Sequence, residues 1–168
     1  MKAAIFRGVN EPLTIEQIEV GEPIGREVLI KTAASGVCHS DLHFIEGLWP
    51  FPPPAVLGHE AAGIVEAVGP DVTYLKPGDH VISCLSVFCG VCDQCLTGHP
   101  NRCLGGASIT RGMGEPPRLS QDGKPINQFA NLSSYAEKML VHENALVHIA
   151  DDVPLEDGDV VVVPETFF

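Results

Sequence analysis

Cys89, Cys92, Cys95 and Cys103 follow the spacing C-x2-C-x2-C-x7-C. Four thiolates at that spacing can close around one tetrahedral ion with no ligand left over, which is the donor set of a structural zinc site. The segment that carries them, Phe88 to Leu104, reads as one compact lobe. Gly90 and Gly98 permit tight turns, and Asn101 and Arg102 lead back to the last cysteine. The alternatives are a disulfide pair and a four-thiolate iron site of the electron-transfer kind. Two-residue spacings suit metal loops better than disulfides, and the absence of a signal peptide argues for a reducing compartment. Iron sites of that kind usually draw their thiolates from two separate C-x2-C knuckles.

A second set of donors lies upstream: Cys38, in Gly36-Val37-Cys38-His39-Ser40-Asp41-Leu42-His43, and His59, in Gly58-His59-Glu60. Taken singly, each has an ordinary reading, as a small buried hydrophobe or a satisfied imidazole. Their neighbours favour chemistry. Glu60 directly follows His59, and Ser40 and His43 share a turn of chain with Cys38. A catalytic zinc needs a mixed, open sphere, with three ligands from protein and the fourth from water or substrate.

These residues must be positioned by the rest of the chain, whose composition bounds what it can be. With 168 residues, 45% of them apolar, the chain fits one domain, or one domain with appendages, and can build a real core. Its 22 acidic against 10 basic residues give a net charge of −12, which disfavours nucleic acid and anionic membrane as partners. The first residues, Met1 to Arg7, contain no long apolar stretch or cleavage site, and apolar runs such as Val160 to Val163 are too short to span a bilayer. The reading is a soluble, cytoplasmic protein.

The first half reads as short strands: Ala3 to Phe6, Glu16 to Val20, Val28 to Lys31, Ile64 to Val68 and His80 to Ser83. Gly and Pro separate them, a pattern that suggests a closed or nearly closed β-barrel. A short helix is predicted from Ser40 to Glu46, capped by Ser40 and stopped by Gly47. Between Gly105 and Asn131 periodicity disappears, which predicts a long loop, functional or mobile. Strand character returns at Ser134 to Leu140 and Ala145 to Ile149.

Four stretches, Gly58-His59-Glu60-Ala61-Ala62-Gly63, Gly36-Val37-Cys38-His39-Ser40-Asp41, Lys76-Pro77-Gly78-Asp79-His80-Val81 and the four-cysteine lobe, together resemble the zinc-dependent alcohol dehydrogenases of the medium-chain dehydrogenase/reductase superfamily. The resemblance covers roughly residues 1 to 158. It implies a mainly β catalytic domain with a GroES-like β-barrel, short helices, a zinc-binding lobe at 88–104 and two zinc ions. By that resemblance Cys38, His59 and Glu60 belong to the catalytic zinc, and Asp41 orients His59. Ser40 and His43 resemble the proton relay, His39 a position facing the pyrophosphate of NAD(P), and Leu85 and Trp49 the substrate pocket. Cys84 matches no ligand position and reads as a packed free thiol. The implied chemistry is oxidation of a small alcohol to an aldehyde or ketone, with hydride passing to a nicotinamide.

The chain departs from that pattern in two places. No Gly-x-Gly-x-x-Gly follows a strand and opens a helix, so the doubly wound (Rossmann) dinucleotide domain is read as absent and the chain as truncated or minimised. The family's third catalytic-zinc ligand falls near Val162 or Val163, within an atypical segment at 159–168 that reads as a strand through which copies could self-associate. The competing reading is a non-catalytic, zinc-stabilised β-barrel fragment or scaffold.

Overall fold

Runs of β-branched and apolar residues broken by Gly and Pro form strands readily, and the computed structural model, which describes residues 1–150, is mainly β. In chain order the elements are β1 (Lys2–Phe6), β2 (Thr14–Gln17), β3 (Glu19–Val20), β4 (Glu27–Ser35), helix α1 (His39–Ile45), β5 (Ala55–Val56), β6 (Ala61–Val68) and β7 (His80–Ser83). There follow helix α2 (Asp93–Leu96), β8 (Leu119–Gln121), β9 (Lys124–Pro125), β10 (Asn127–Gln128), β11 (Lys138–His142) and β12 (Leu146–His148).

An antiparallel five-stranded sheet, in the order β11-β4-β6-β7-β12, is the wall on which the site is built. Two register shifts between β4 and β6, at Leu29/Ile30 and Thr32/Ala34, bend the pair and help the sheets curl into a half-barrel. Ser35 at the end of β4 pairs with Ala61 at the start of β6. Cys38 therefore leaves, and His59 and Glu60 arrive, at the same end of the same strand pair. The sheet β10-β5-β1-β2 and the small sheet β3-β8-β9 complete the fold.

Val28, Ile30, Val65, Val81, Met139 and Val141 fill the inside of the five-stranded sheet, and Ile5, Ile18, Val56, Leu119 and Ile126 form a second cluster. Phe6, Ala55 and Leu57 form a third, on which Phe44 and Ile45 of α1 pack. Burial of that face of α1 holds the helix against the sheet end.

Four local expectations are revised. The strand expected over Ser134 to Leu140 begins only at Lys138, because the backbone of Tyr135 and Glu137 bonds instead to Leu57, Ala4 and Lys2. The strand expected over Glu16 to Val20 splits at Ile18, which turns into the core and exchanges hydrogen bonds with Met1, so β2 pairs with β1 and β3 with β8. The helix expected from Ser40 begins at His39 and is capped at Cys38. Asp41, one turn in, accepts from the Cys38 backbone N–H through Oδ2 at 3.2 Å, while Ser40 Oγ instead donates to Cys38 Sγ at 3.2 Å. The long loop expected over 105–131 contains β8, β9 and β10 and is anchored by Arg111 and Arg118, both bound to the buried carboxylate of Glu27. The tail at 159–168, the positions near Val162 and Val163 and any pairing through them lie outside the described residues.

Candidate metal centres

The four-cysteine lobe comes together as its spacing predicts. One ligand atom from each of Cys89, Cys92, Cys95 and Cys103 lies within 4.8 Å of the others. Three sulfur pairs stand at 3.5, 3.9 and 4.0 Å. A tetrahedron built on zinc–sulfur bonds of ~2.3 Å has edges of roughly 3.8 Å, so the thiols already have the spacing of a closed site. Backbone N–H groups of Val91 and Cys92 point at Cys89 Sγ, and those of Cys89 and Gly105 at Cys103 Sγ. Gly90 and Gly98 take φ of +80° and +82° in the turns.

The thiols of the lobe titrate far apart. The N–H groups of Leu104 and Cys95 pull Cys92 down to about 6, while desolvation pushes Cys95 up to about 11. Four mutually repelling sulfurs need a cation to be thiolates together, and a divalent ion would supply it. All six cysteines are free thiols. The lobe is tied to the barrel by Asn144, which donates from Nδ2 to the Phe88 carbonyl at 2.7 Å and accepts from Arg26.

The second donor set also converges. Cys38 at the cap of α1, His59 before β6 and Glu60 beside it each offer a ligand atom within 4.8 Å of the others. His59 is buried, and Cys38 and Glu60 are half-buried. The two imidazole nitrogens face different neighbours, Nε2 lying 4.0 Å from Glu60 Oε1 and Nδ1 3.6 Å from Asp41 Oδ1. Nε2 thus points toward the donor cluster. Nδ1 is buried with no hydrogen bond, a carboxylate just beyond bonding range behind it. That is the arrangement a ligating histidine takes when a second residue orients it. Burial alone pushes His59 down, but the Asp41 carboxylate and Cys38 reverse this and leave the imidazole raised. Burial likewise opposes the charge on Asp41, which His59, Tyr135 and the Gly58 N–H nevertheless hold below the usual carboxylate range.

Gly58 sets the entry to His59. Its φ is +85°, and a Cβ there would meet the Tyr135 ring at 2.6 Å, so only glycine passes this point without strain. Two serines lock the backbone that follows: Ser35 Oγ donates to the Glu60 carbonyl, and Ser83 Oγ donates to the His59 carbonyl and accepts from the Ala61 N–H.

Ser40 and His43 lie on α1 beside this set. His43 Nδ1 is buried without a hydrogen-bond partner, and its ring packs edge-on against Trp49 at 4.5 Å and His39 at 4.8 Å. His39 is exposed on the first turn of the helix. Phe129 stands 5.5 Å from the His59 ring, Phe44 4.7 Å from Phe129 and Trp49 5.5 Å from Phe44, so aromatic rings run from one histidine to the other. Trp49 and Leu85 are both exposed, and Cys84 is half-buried. Tyr135 and Phe129 escape notice in the sequence, where nothing in their spacing connects them with Asp41 or His59.

Residues 25–151 match the family described as alcohol dehydrogenase GroES-like domain. An NDMA-dependent alcohol dehydrogenase from Amycolatopsis methanolica is 40% identical over 158 residues, which make up 92% of this chain and 42% of that protein. Among solved structures, an alcohol dehydrogenase zinc-binding domain protein from Burkholderia ambifaria is 37% identical with a TM-score of 0.81, over 92% of this chain and 43% of its own. Benzyl alcohol dehydrogenase from Acinetobacter calcoaceticus is 37% identical with a TM-score of 0.80, over 92% of this chain and 42% of its own. The chain belongs to the alcohol dehydrogenase family, through its GroES-like domain. It spans about two fifths of the length of these relatives. Among the described residues, no helix is long and apolar enough to cross a membrane.

Proposed function

We propose that residues 1–158 form the catalytic domain of a zinc-dependent alcohol dehydrogenase, which oxidises an alcohol to an aldehyde or ketone by hydride transfer to NAD(P). The observation that carries this reading is the second donor set: thiol, imidazole and carboxylate meeting beside Ser40 and His43, apart from the closed four-thiol lobe. A set of three unlike donors suits an open site, and four thiolates suit a structural one.

Cys38, His59 and Glu60 are the residues that would hold the catalytic ion. When bound, zinc supplies Lewis acidity that lowers the pKa of a substrate hydroxyl. The chain's own groups do the rest. Asp41 keeps His59 turned so that Nε2 faces the donors. Ser40 Oγ, beside Cys38 Sγ, passes on the hydroxyl proton, and His43 Nδ1, buried with no partner, has a free lone pair or N–H to continue its path. The rings of Phe44 and Phe129 give the approach to His59 an apolar border that favours an alcohol with an apolar body. Benzyl alcohol is the first substrate to try, because a relative of 37% identity is named for it and aromatic rings border His59 here. His39 is assigned to the cofactor pyrophosphate.

The test is a zinc count per chain combined with a hydride-transfer assay over aromatic and aliphatic alcohols with NAD and NADP. Two ions per chain and reduction of a nicotinamide support the proposal. One ion per chain and no turnover identify a zinc-stabilised scaffold instead.

A further inference from the structure

Asp41 is 1% exposed, and each of its carboxylate oxygens is committed. Oδ1 accepts from the Gly58 N–H at 3.2 Å and faces His59 Nδ1, while Oδ2 accepts from the Cys38 N–H at 3.2 Å and from the Tyr135 hydroxyl at 2.8 Å. We propose that Tyr135 is a positioning residue for the Cys38, His59 and Glu60 centre: its hydroxyl fixes the rotation of the Asp41 carboxylate and thereby sets how tightly His59 holds a metal ion. This rests on the function proposed above.

Two arguments support the assignment. The terminal torsion of an aspartate is soft, so the direction of its oxygens is decided by hydrogen bonds and not by rotamer preference. The shortest bond to Asp41 comes from the phenol, and an O–H donor to an ionised oxygen is among the stronger kinds. Tyr135 is itself held by the segment it serves. Its N–H donates to the Leu57 carbonyl at 3.1 Å, its carbonyl accepts from Ala4 at 2.8 Å, and its ring occupies the space that Gly58 leaves open. The hydroxyl thus refers the carboxylate of α1 to the backbone that delivers His59. Groups behind a ligating imidazole fix its orientation and basicity, and removing one weakens metal binding by about 10- to 100-fold.

Tyr135→Phe keeps the ring and removes only the hydroxyl. Zinc-loaded wild type and variant, as the full chain, are titrated with a chromogenic chelator, and the His59 ring nitrogens are followed by 15N NMR. The expected result is about a tenfold weaker hold on the second ion, an unchanged four-thiolate ion and shifted His59 nitrogen resonances. In an Asp41→Asn background the same substitution should add nothing. Unchanged affinity and unchanged His59 resonances overturn the assignment, as does a full additional loss in the Asp41→Asn background. Equal weakening of both ions also overturns it, because that reports general loosening. A wild-type chain that binds one ion removes the proposed function along with this role, whereas two ions in wild type with no effect of Tyr135→Phe removes the role alone.

Discussion

Arg118 and Glu27 lie 91 residues apart in the chain and meet in the interior, Arg118 Nε donating to Glu27 Oε1 at 2.7 Å. Arg111 binds the same carboxylate from the other side, through Nη2 to Oε2 at 2.6 Å. Both guanidiniums continue to carbonyls, Arg111 to Glu22 and Arg118 to Ile109. One buried anion thus fastens the segment after the lobe to the start of β4.

That fastening should be lost in acid. Burial opposes the charge on Glu27, but the two guanidiniums outweigh it and hold the carboxyl below its ordinary 4.5. Because the folded form has the lower pKa, the contribution is fully present above about pH 4.5 and disappears as pH falls through the folded value. Glu27→Gln should cost about 3 kcal/mol at neutral pH, since it leaves two buried guanidiniums without their charge partner. The deficit should shrink below about pH 4. Melting temperatures of both proteins across pH 3 to 8 check this, and a deficit independent of pH contradicts it.

The lobe should fail as a unit and by itself. Metal binding by ligands organised only in the native state adds its free energy to folding. Cys95→Ser should therefore remove one ion, lower the melting temperature and raise hydrogen exchange over 88–104. Exchange in the β4–β6 pair should be nearly unaffected, because the described lobe is joined to the barrel at few points, Asn144 to Phe88 among them. Full zinc content with an unchanged melting temperature would exclude a structural ion there.

How much of this is legible in the sequence depends on how far apart partners lie. The lobe is readable because all its donors fall within one short segment whose spacing closes a site. Cys38 and His59 are connected only by resemblance, since their meeting depends on the pairing of Ser35 with Ala61, which local patterning does not reveal. Strands β8 to β10 are too short to show a period, and β8 and β10 are secured by partners far away in the chain. Glu27, Arg111 and Arg118 look like solvated charges until the fold buries them together. Tyr135 reads as part of the strand expected over Ser134 to Leu140, whereas it precedes β11, and only its hydroxyl's partner shows what it does.

Gly58→Ala should damage the second centre more than the barrel. A non-glycine residue held at a φ of +85° costs about 1–3 kcal/mol in backbone strain. The added methyl also falls 2.6 Å from Tyr135 Cδ1, so the ring or the His59 backbone must move. The variant should fold with a lower melting temperature, keep the four-thiolate ion and lose most of the other. Zinc content and thermal melts report this directly, and a variant with two tightly held ions and wild-type stability would contradict it.

Metal removal should follow donor number. Cys89, Cys92, Cys95 and Cys103 offer four thiols and leave no position for solvent, while Cys38, His59 and Glu60 offer three unlike donors, with Asp41 behind His59. An open site exchanges its ion with solvent ligands more readily than a closed four-thiolate one. Protons compete as well, because imidazole and thiolate must both be deprotonated to bind. Treatment of the two-zinc protein with a mild chelator should remove one ion in a fast phase with little change in melting temperature. The second ion should leave slowly and together with unfolding of the lobe. Lowering the pH from 8 to 6 should speed the fast phase as His59 begins to take up protons, a titration moved upward by the Asp41 carboxylate. Release of both ions in one phase, or of the lobe's ion first, would show that the two donor sets do not differ in the way their composition requires.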